Sequence, residues 1–191
     1  MKDKEWRKEI EDEIIDLRNR VDKMEGILAN RPEASSSCSE QNTIEADIEC
    51  PEADIGGLRF NAVKTHAVFE KKGGIYYSRD ILFNSARDTD NGTGRDLLSE
   101  YLDSEDVKKA FVAALDVAGI NTDGKISIFI PKENQGIKRY NGVNWRYWLK
   151  PRSSGSSAVF AYVHANGLSY YTAASGVDGC APAFCVSEKH E

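Results

Sequence analysis

RSSGSSAVFAYVHANGLSYYTAASGVDGCAPAFCVS, residues 152–187, contains no Lys, Glu, Met, Gln or Trp, in a chain of which 29% is charged. A loop region rich in Gly, Ser and Ala thins out long side chains by composition alone. The particular gap has a sharper reading. Randomising both adenines of an AAC or AAT codon reaches every amino acid except those five.

Upstream of this tail, the order of elements predicts an α+β class. AVFEKKGGIYYS, from Ala67, reads as a hairpin, with two short apolar runs flanking Lys71-Lys72-Gly73-Gly74. The turn-forming loop NSARDTDNGTGRD follows. Two helical stretches are then predicted, Gly94 to Leu102 and Ser104 to Ala118, the second with Ser104 as N-cap and Gly119 just past its end. KISIFIP places Ile126, Ile128 and Ile130 on one face of a strand. Residues 136–186 read as short strands between Gly, Ser and Asn turns. Mixed strands, two helices and then irregular strands make an α+β domain, bounded at 57–191 and long enough for one core.

Residues 32–56 are rich in Ser, Glu, Asp and Ala and are read as an acidic flexible linker, with Ile44, Ile48 and Ile55 able to dock as a short edge strand. Residues 1–31 are read as a coiled-coil helix. Ile10, Ile14, Leu17, Val21, Met24 and Leu28 step by four and three, a heptad seam with mostly β-branched residues at a. Glu13 with Arg18, and Arg20 with Glu25, form interchain g-to-e pairs of opposite sign. A homo-oligomer is expected, dimer or trimer; the competing reading is one amphipathic helix packed on its own domain. Pro32 ends the helix.

The chain has 191 residues and a formal charge of -6, which repels nucleic acid and acidic membrane unless basic residues cluster. No apolar run approaches the ~20 residues that span a bilayer. MKDKEWRKEIEDE lacks a signal-peptide stretch, so the expected location is a phage virion or the bacterial cytoplasm.

Candidate chemistry is sparse. DTDNGTGRD, from Asp88, superficially resembles a calcium loop but fails in register, with glycine at the fifth position and Ser99 at the twelfth. His66, His164 and His190 lie far apart in sequence, and no hydrolase or nucleotide-binding motif accompanies them. Cys180 and Cys185 are the only close thiols, a conceivable redox pair, though buried and inert cysteines are the plainer reading. KRYNGVNWRYWLKPR, from Lys138 to Arg152, interleaves Lys138, Arg139, Arg146, Lys150 and Arg152 with Tyr140, Trp145, Tyr147 and Trp148. That composition suits single-stranded nucleic acid; a core strand carrying Trp145, Tyr147 and Leu149 on one face is the plainer reading. No metal and no cofactor are expected.

The succession Trp148-Leu149, Ser153, Ala158, Phe160, Val163, Gly167, Ala174, Ser175, Gly179, Ala181, Pro182 and Phe184 resembles the tail of variable proteins from diversity-generating retroelements. These have a C-type-lectin-like domain related to formylglycine-generating enzymes. WLKPRS and GVDGCAPAF depart from the family's WLRSP and GVRPAF. The resemblance implies a C-type-lectin-like fold with Phe160, Val163, Pro182 and Phe184 as buried scaffold. It also implies diversified, ligand-facing side chains at Val159, Tyr162, His164, Ala165, Leu168, Tyr170, Tyr171, Thr172, Ala173, Gly176 and Asp178. Tyrosine among small residues has the physics of an antibody loop, offering large contact area with few rotors. No EPN, QPD or WND triplet for calcium-dependent sugar binding is present. The expectation is a non-enzymatic receptor-recognition protein, multimerised for avidity, that attaches a phage or a cell to a surface protein or glycan. A formylglycine-generating-type oxidase using Cys180 and Cys185, or a nucleic-acid module on residues 138–152, are the alternatives.

Overall fold

The computed structural model describes residues 43–187 except 91 and 133–135. The heptad positions Ile10, Ile14, Leu17, Val21, Met24 and Leu28 lie outside the described residues, as does the first part of the acidic segment. The described chain runs β1 (Thr43–Cys50), β2 (Ala53–Ile55), β3 (Leu58–Phe60), β4 (Val63–Lys72), β5 (Ile75–Ser78), β6 (Phe83–Ser85), α1 (Leu97–Asp103), α2 (Glu105–Val117), β7 (Ile126–Phe129), β8 (Lys138–Tyr140), β9 (Val143–Trp145), β10 (Tyr147–Arg152), β11 (Val159–Val163), β12 (Ser169–Ala173), β13 (Asp178–Cys180) and β14 (Ala183–Val186). It is a mixed fold dominated by strands, as the α+β reading expects at that level.

The first strand corrects the linker reading for residues 43–56. β1 alternates exposed and buried residues along its whole length, with Ile44, Ala46, Ile48 and Cys50 inward. A small residue and a thiol carry half of that period-two signal, so the outward acids Glu45, Asp47 and Glu49 dominate the composition. β2 and β3 form a hairpin through Gly56 and Gly57, both at positive φ. Gly56 is favoured by its positive φ, and a Cβ there would also press within 2.9 Å of Leu97 Cδ2.

Two five-stranded sheets organise the domain, one in the order β1-β4-β5-β14-β7 and the other β12-β11-β10-β13-β6. β4 and β5 close through Gly73 and Gly74, both at positive φ, as the Lys-Lys-Gly-Gly hairpin predicts. α1 starts at Leu97, with the Asp96 side chain accepting from Ser99 N. Ser104 occupies the N-cap position of α2, yet its hydroxyl donates to Tyr101 O at 2.7 Å and so closes α1 instead.

The main core joins both helices to the two sheets: Phe69, Phe111 and Phe184 meet edge to face, and Phe60 stacks on Tyr101 at 4.1 Å. Trp148, Phe160 and Cys180 enter this core from one face of the second sheet. Tyr147, Leu149, Ala161, Val163 and Ala181 fill a smaller cluster on its other face. Its three central strands, β11, β10 and β13, are therefore covered on both faces. Arg87, fully buried, ties the loop before α1 to this sheet. Its Nε donates to Asp96 Oδ1 at 3.0 Å, Nη1 donates to Leu149 O at 2.6 Å, and the guanidinium lies 4.1 Å from the Phe160 ring centroid.

Candidate ligand-binding surface

β12 is an edge strand, paired on one side only, with β11. The antiparallel register Phe160↔Thr172, Ala161↔Tyr171, Tyr162↔Tyr170 and Val163↔Ser169 decides where its side chains go. Directly opposed residues share a face, and successive residues alternate. Tyr162, Tyr170 and Thr172 thus line the face that continues from the main core. Val159, Tyr171 and Ala173 line the opposite one. The residues expected to form one ligand-facing set are split between two faces of an edge strand.

Within the expected set, Leu168, Tyr170, Tyr171 and Ala173 are exposed, while Val159, Tyr162, His164, Ala165, Thr172 and Gly176 are half-buried. Asp178 is a correction. It is buried, because β13 runs between β10 and β6 and turns Asp178 to the same side as Cys180. The residues expected as scaffold, Phe160, Val163, Pro182 and Phe184, are all buried.

The turn from β11 to β12 is fixed by backbone chemistry. His164 N donates to Leu168 O and Gly167 N donates to His164 O, each at 2.8 Å, and Asn166 Oδ1 accepts from Leu168 N. Gly167 sits at φ +85°, and Ile137 Cγ1 would be 3.2 Å from a Cβ at that position. Leu168 is thereby held out on a short, determined turn.

On the face continuing from the core, three rings come together: Tyr162 and Tyr170 at 6.0 Å between centroids, His164 and Tyr170 at 6.0 Å, and Tyr162 and His164 at 6.4 Å. The Arg146 guanidinium lies 5.7 Å from the Tyr162 centroid, and its Nε is 2.8 Å from Asp178 Oδ1. That contact is an ion pair at close range without hydrogen-bond alignment, since neither Asp178 oxygen has an aligned partner. Burial pushes the Asp178 carboxyl above its ordinary value, and the charges of Arg146 and His164 oppose that rise.

Sequence reading missed part of this surface. Of eight exposed large hydrophobic residues among those described, only Val117 lies outside the stretch from Ile137 to Val177; the others are Ile137, Val143, Trp145, Leu168, Tyr170, Tyr171 and Val177. They are divided between the two faces of the edge strand, since Tyr170 and Tyr171 alternate on β12. Val177 was hidden by its neighbour Asp178. Arg146, in a basic and aromatic stretch, reads as a nucleic-acid contact or as the rim of a core strand.

The other candidates resolve differently. Asp88 is buried and accepts from Thr89 N, Thr93 Oγ1 and Gly94 N, so its carboxylate organises the DTDNGTGRD loop from within. Among the described residues no three His, Cys, Asp or Glu side chains gather as a metal site. His66 pairs with Asp47 and Glu45 on the first sheet, away from the Tyr162 cluster in the fold's topology. Cys180 is fully buried and its thiol is pushed well up by desolvation; Cys185, on β14, is half-buried. The basic stretch does not form one platform. Lys138 is buried with its amine on Ser78 O, Tyr147 donates to Gly136 O, Trp148 donates from Nε1 to Ser85 O, and only Trp145 of its tryptophans is exposed. No described helix is long and apolar enough to cross a membrane. No family model, curated protein or solved structure matches this chain.

Proposed function

We propose that this protein is a non-enzymatic ligand-binding protein of the diversity-generating-retroelement type. Its C-type-lectin-like domain displays changeable side chains on the edge of the second sheet, and copies are joined through the heptads of residues 10–28. The carrying observation is the contrast within the tail: Phe160, Val163, Ala174 and Phe184 are buried, while Leu168, Tyr170 and Tyr171 between them are exposed. A fixed frame with replaceable outward residues is what diversification of a binding surface demands. The missing Lys, Glu, Met, Gln and Trp of residues 152–187 agree with adenine-directed replacement of the codons.

The target is a protein or glycan on a cell or virus surface, and joining copies multiplies weak single contacts through effective concentration. The burial of Cys180 and the dispersal of the 138–152 side chains favour this reading over an oxidase or a nucleic-acid module. Sequencing the DNA around the gene tests it. A near-identical repeat and a reverse-transcriptase frame, with differences confined to template adenines, are expected. Siblings whose differences fall equally on Phe160 and Tyr170, without adenine bias, would overturn the proposal.

A further inference from the structure

Arg146 stands outside the expected ligand-facing set, yet its placement is that of a prepared anion receptor. Its backbone is fixed, because Gly179 N donates to Arg146 O at 2.9 Å at the junction of β10 and β13. Its Nε is held from beneath by Asp178, whose side chain is 1% exposed, while the Arg146 side chain remains 42% exposed. One nitrogen of the fork therefore lies at ion-pair distance from a buried carboxylate. The two terminal nitrogens make no hydrogen bond or ion pair with the described residues and stand beside the Tyr162 ring. Planar guanidinium groups held this way match carboxylates through two parallel hydrogen bonds.

Accessibility decides the sign of the ligand. A cationic group would have to reach Asp178, which the surface covers; an anionic group meets Arg146 directly. Arg146 stands against the ring of Tyr162, which in turn clusters with His164 and Tyr170. An exposed arginine beside a tyrosine cluster has the residue types enriched in protein-interface hot spots.

We propose that Arg146 is a binding residue that takes the side-chain carboxylate of an aspartate or glutamate on a protein partner, with Tyr162 and Tyr170 packing against that residue's stem. This rests on the surface described above being the binding face, and it adds the chemistry that face selects. Asp178 acts as a positioning residue through Arg146.

The test is a nuclear-magnetic-resonance titration of the full chain with three probes: N-acetyl-glutamate α-amide, its glutamine counterpart and glucuronate. Saturable shifts of Arg146 Nε–H and of the amides at 162–170 with the glutamate probe, at least tenfold weaker with the glutamine probe, support the proposal. Arg146→Gln abolishes that difference. Arg146→Lys, which keeps the charge and loses the fork, weakens glutamate binding several-fold while leaving the dispersed spectrum of the folded chain. Should Arg146→Gln fail to fold, the lysine variant and the probe comparison decide alone.

Equal shifts with glutamate and glutamine probes would overturn the carboxylate assignment and leave the binding face standing. Preference for glucuronate over the glutamate probe would overturn the protein-partner assignment in favour of an acidic sugar. No shift in residues 159–178 with any probe would count against both the carboxylate and the face.

Discussion

β11 and β12 are neighbours in one hairpin, five residues each, and they treat their side chains oppositely. VFAYV buries Phe160, Ala161 and Val163, while SYYTA has every residue exposed except the half-buried Thr172. Both strands carry aromatic and β-branched residues suited to a sheet. Composition does not separate them. Position does: β11 has β10 on its far side and packing on both faces, whereas β12 has neither a further strand nor a complete cover. Hydrogen bonding along one edge thus fixes the backbone of β12 while leaving its side chains outside the core.

That comparison is broken most forcefully from the inside. Phe160→Ala removes a ring packed on Arg87 and the main core, and is expected to cost about 3–5 kcal/mol in denaturant unfolding. A loss below ~1 kcal/mol would mean β11 is not the frame. Asp96→Ala is expected to cost somewhat less, on the order of 3 kcal/mol, because it strands the buried Arg87 charge and removes the cap of α1. Asp96→Asn should recover part of this by keeping the cap, which separates the two contributions.

Lys138 supplies a pH test of the same frame. It is 4% exposed, and desolvation lowers its pKa from 10.5 to about 8. Below pH 8 the amine is charged in both the folded and unfolded states, and the fold bears the cost of burying it. Between about pH 8 and 10.5 the unfolded chain binds the extra proton, so this contribution raises stability with pH, by at most ~1.4 kcal/mol per pH unit. Cys50, whose burial raises its thiol from 9.0 to about 12, works in the opposite sense above pH 9. The clean window is therefore pH 8 to 9, where the stability of the parent should rise relative to Lys138→Met. Parallel pH profiles would show that the amine is not buried as charge.

The smallest effect belongs to the outer strand. Tyr171→Ser, at a side chain 59% exposed, should change stability by no more than about 0.5 kcal/mol. A larger loss would show that the ring supports the sheet.

How far the sequence exposes this division varies by element. The hairpin at Gly73 and Gly74, the Ile126, Ile128 and Ile130 strand, and both helices are legible because turn residues and hydrophobic period agree. β1 is not, because Ala46 and Cys50 speak softly beside three acids. The tail's buried Phe160, Val163 and Phe184 are legible as apolar residues in short strands between Gly, Ser and Asn turns. The face each tail residue occupies is not, since that depends on pairing between β11 and β12. Asp178 illustrates the limit most plainly. An aspartate between Val177 and Gly179 reads as surface, and only the strand order places it beneath Arg146.

A binding surface of this kind requires β12 to be free to change. The direct measurement is the unfolding free energy of a chain with Leu168, Tyr170, Tyr171 and Ala173 all replaced by serine, run beside the parent and Phe160→Ala. Four replacements, three on the outer strand and one in its turn, should cost less together than the single frame replacement. A fourfold variant as unstable as Phe160→Ala, or worse, would show that these side chains hold the fold and are not free to vary.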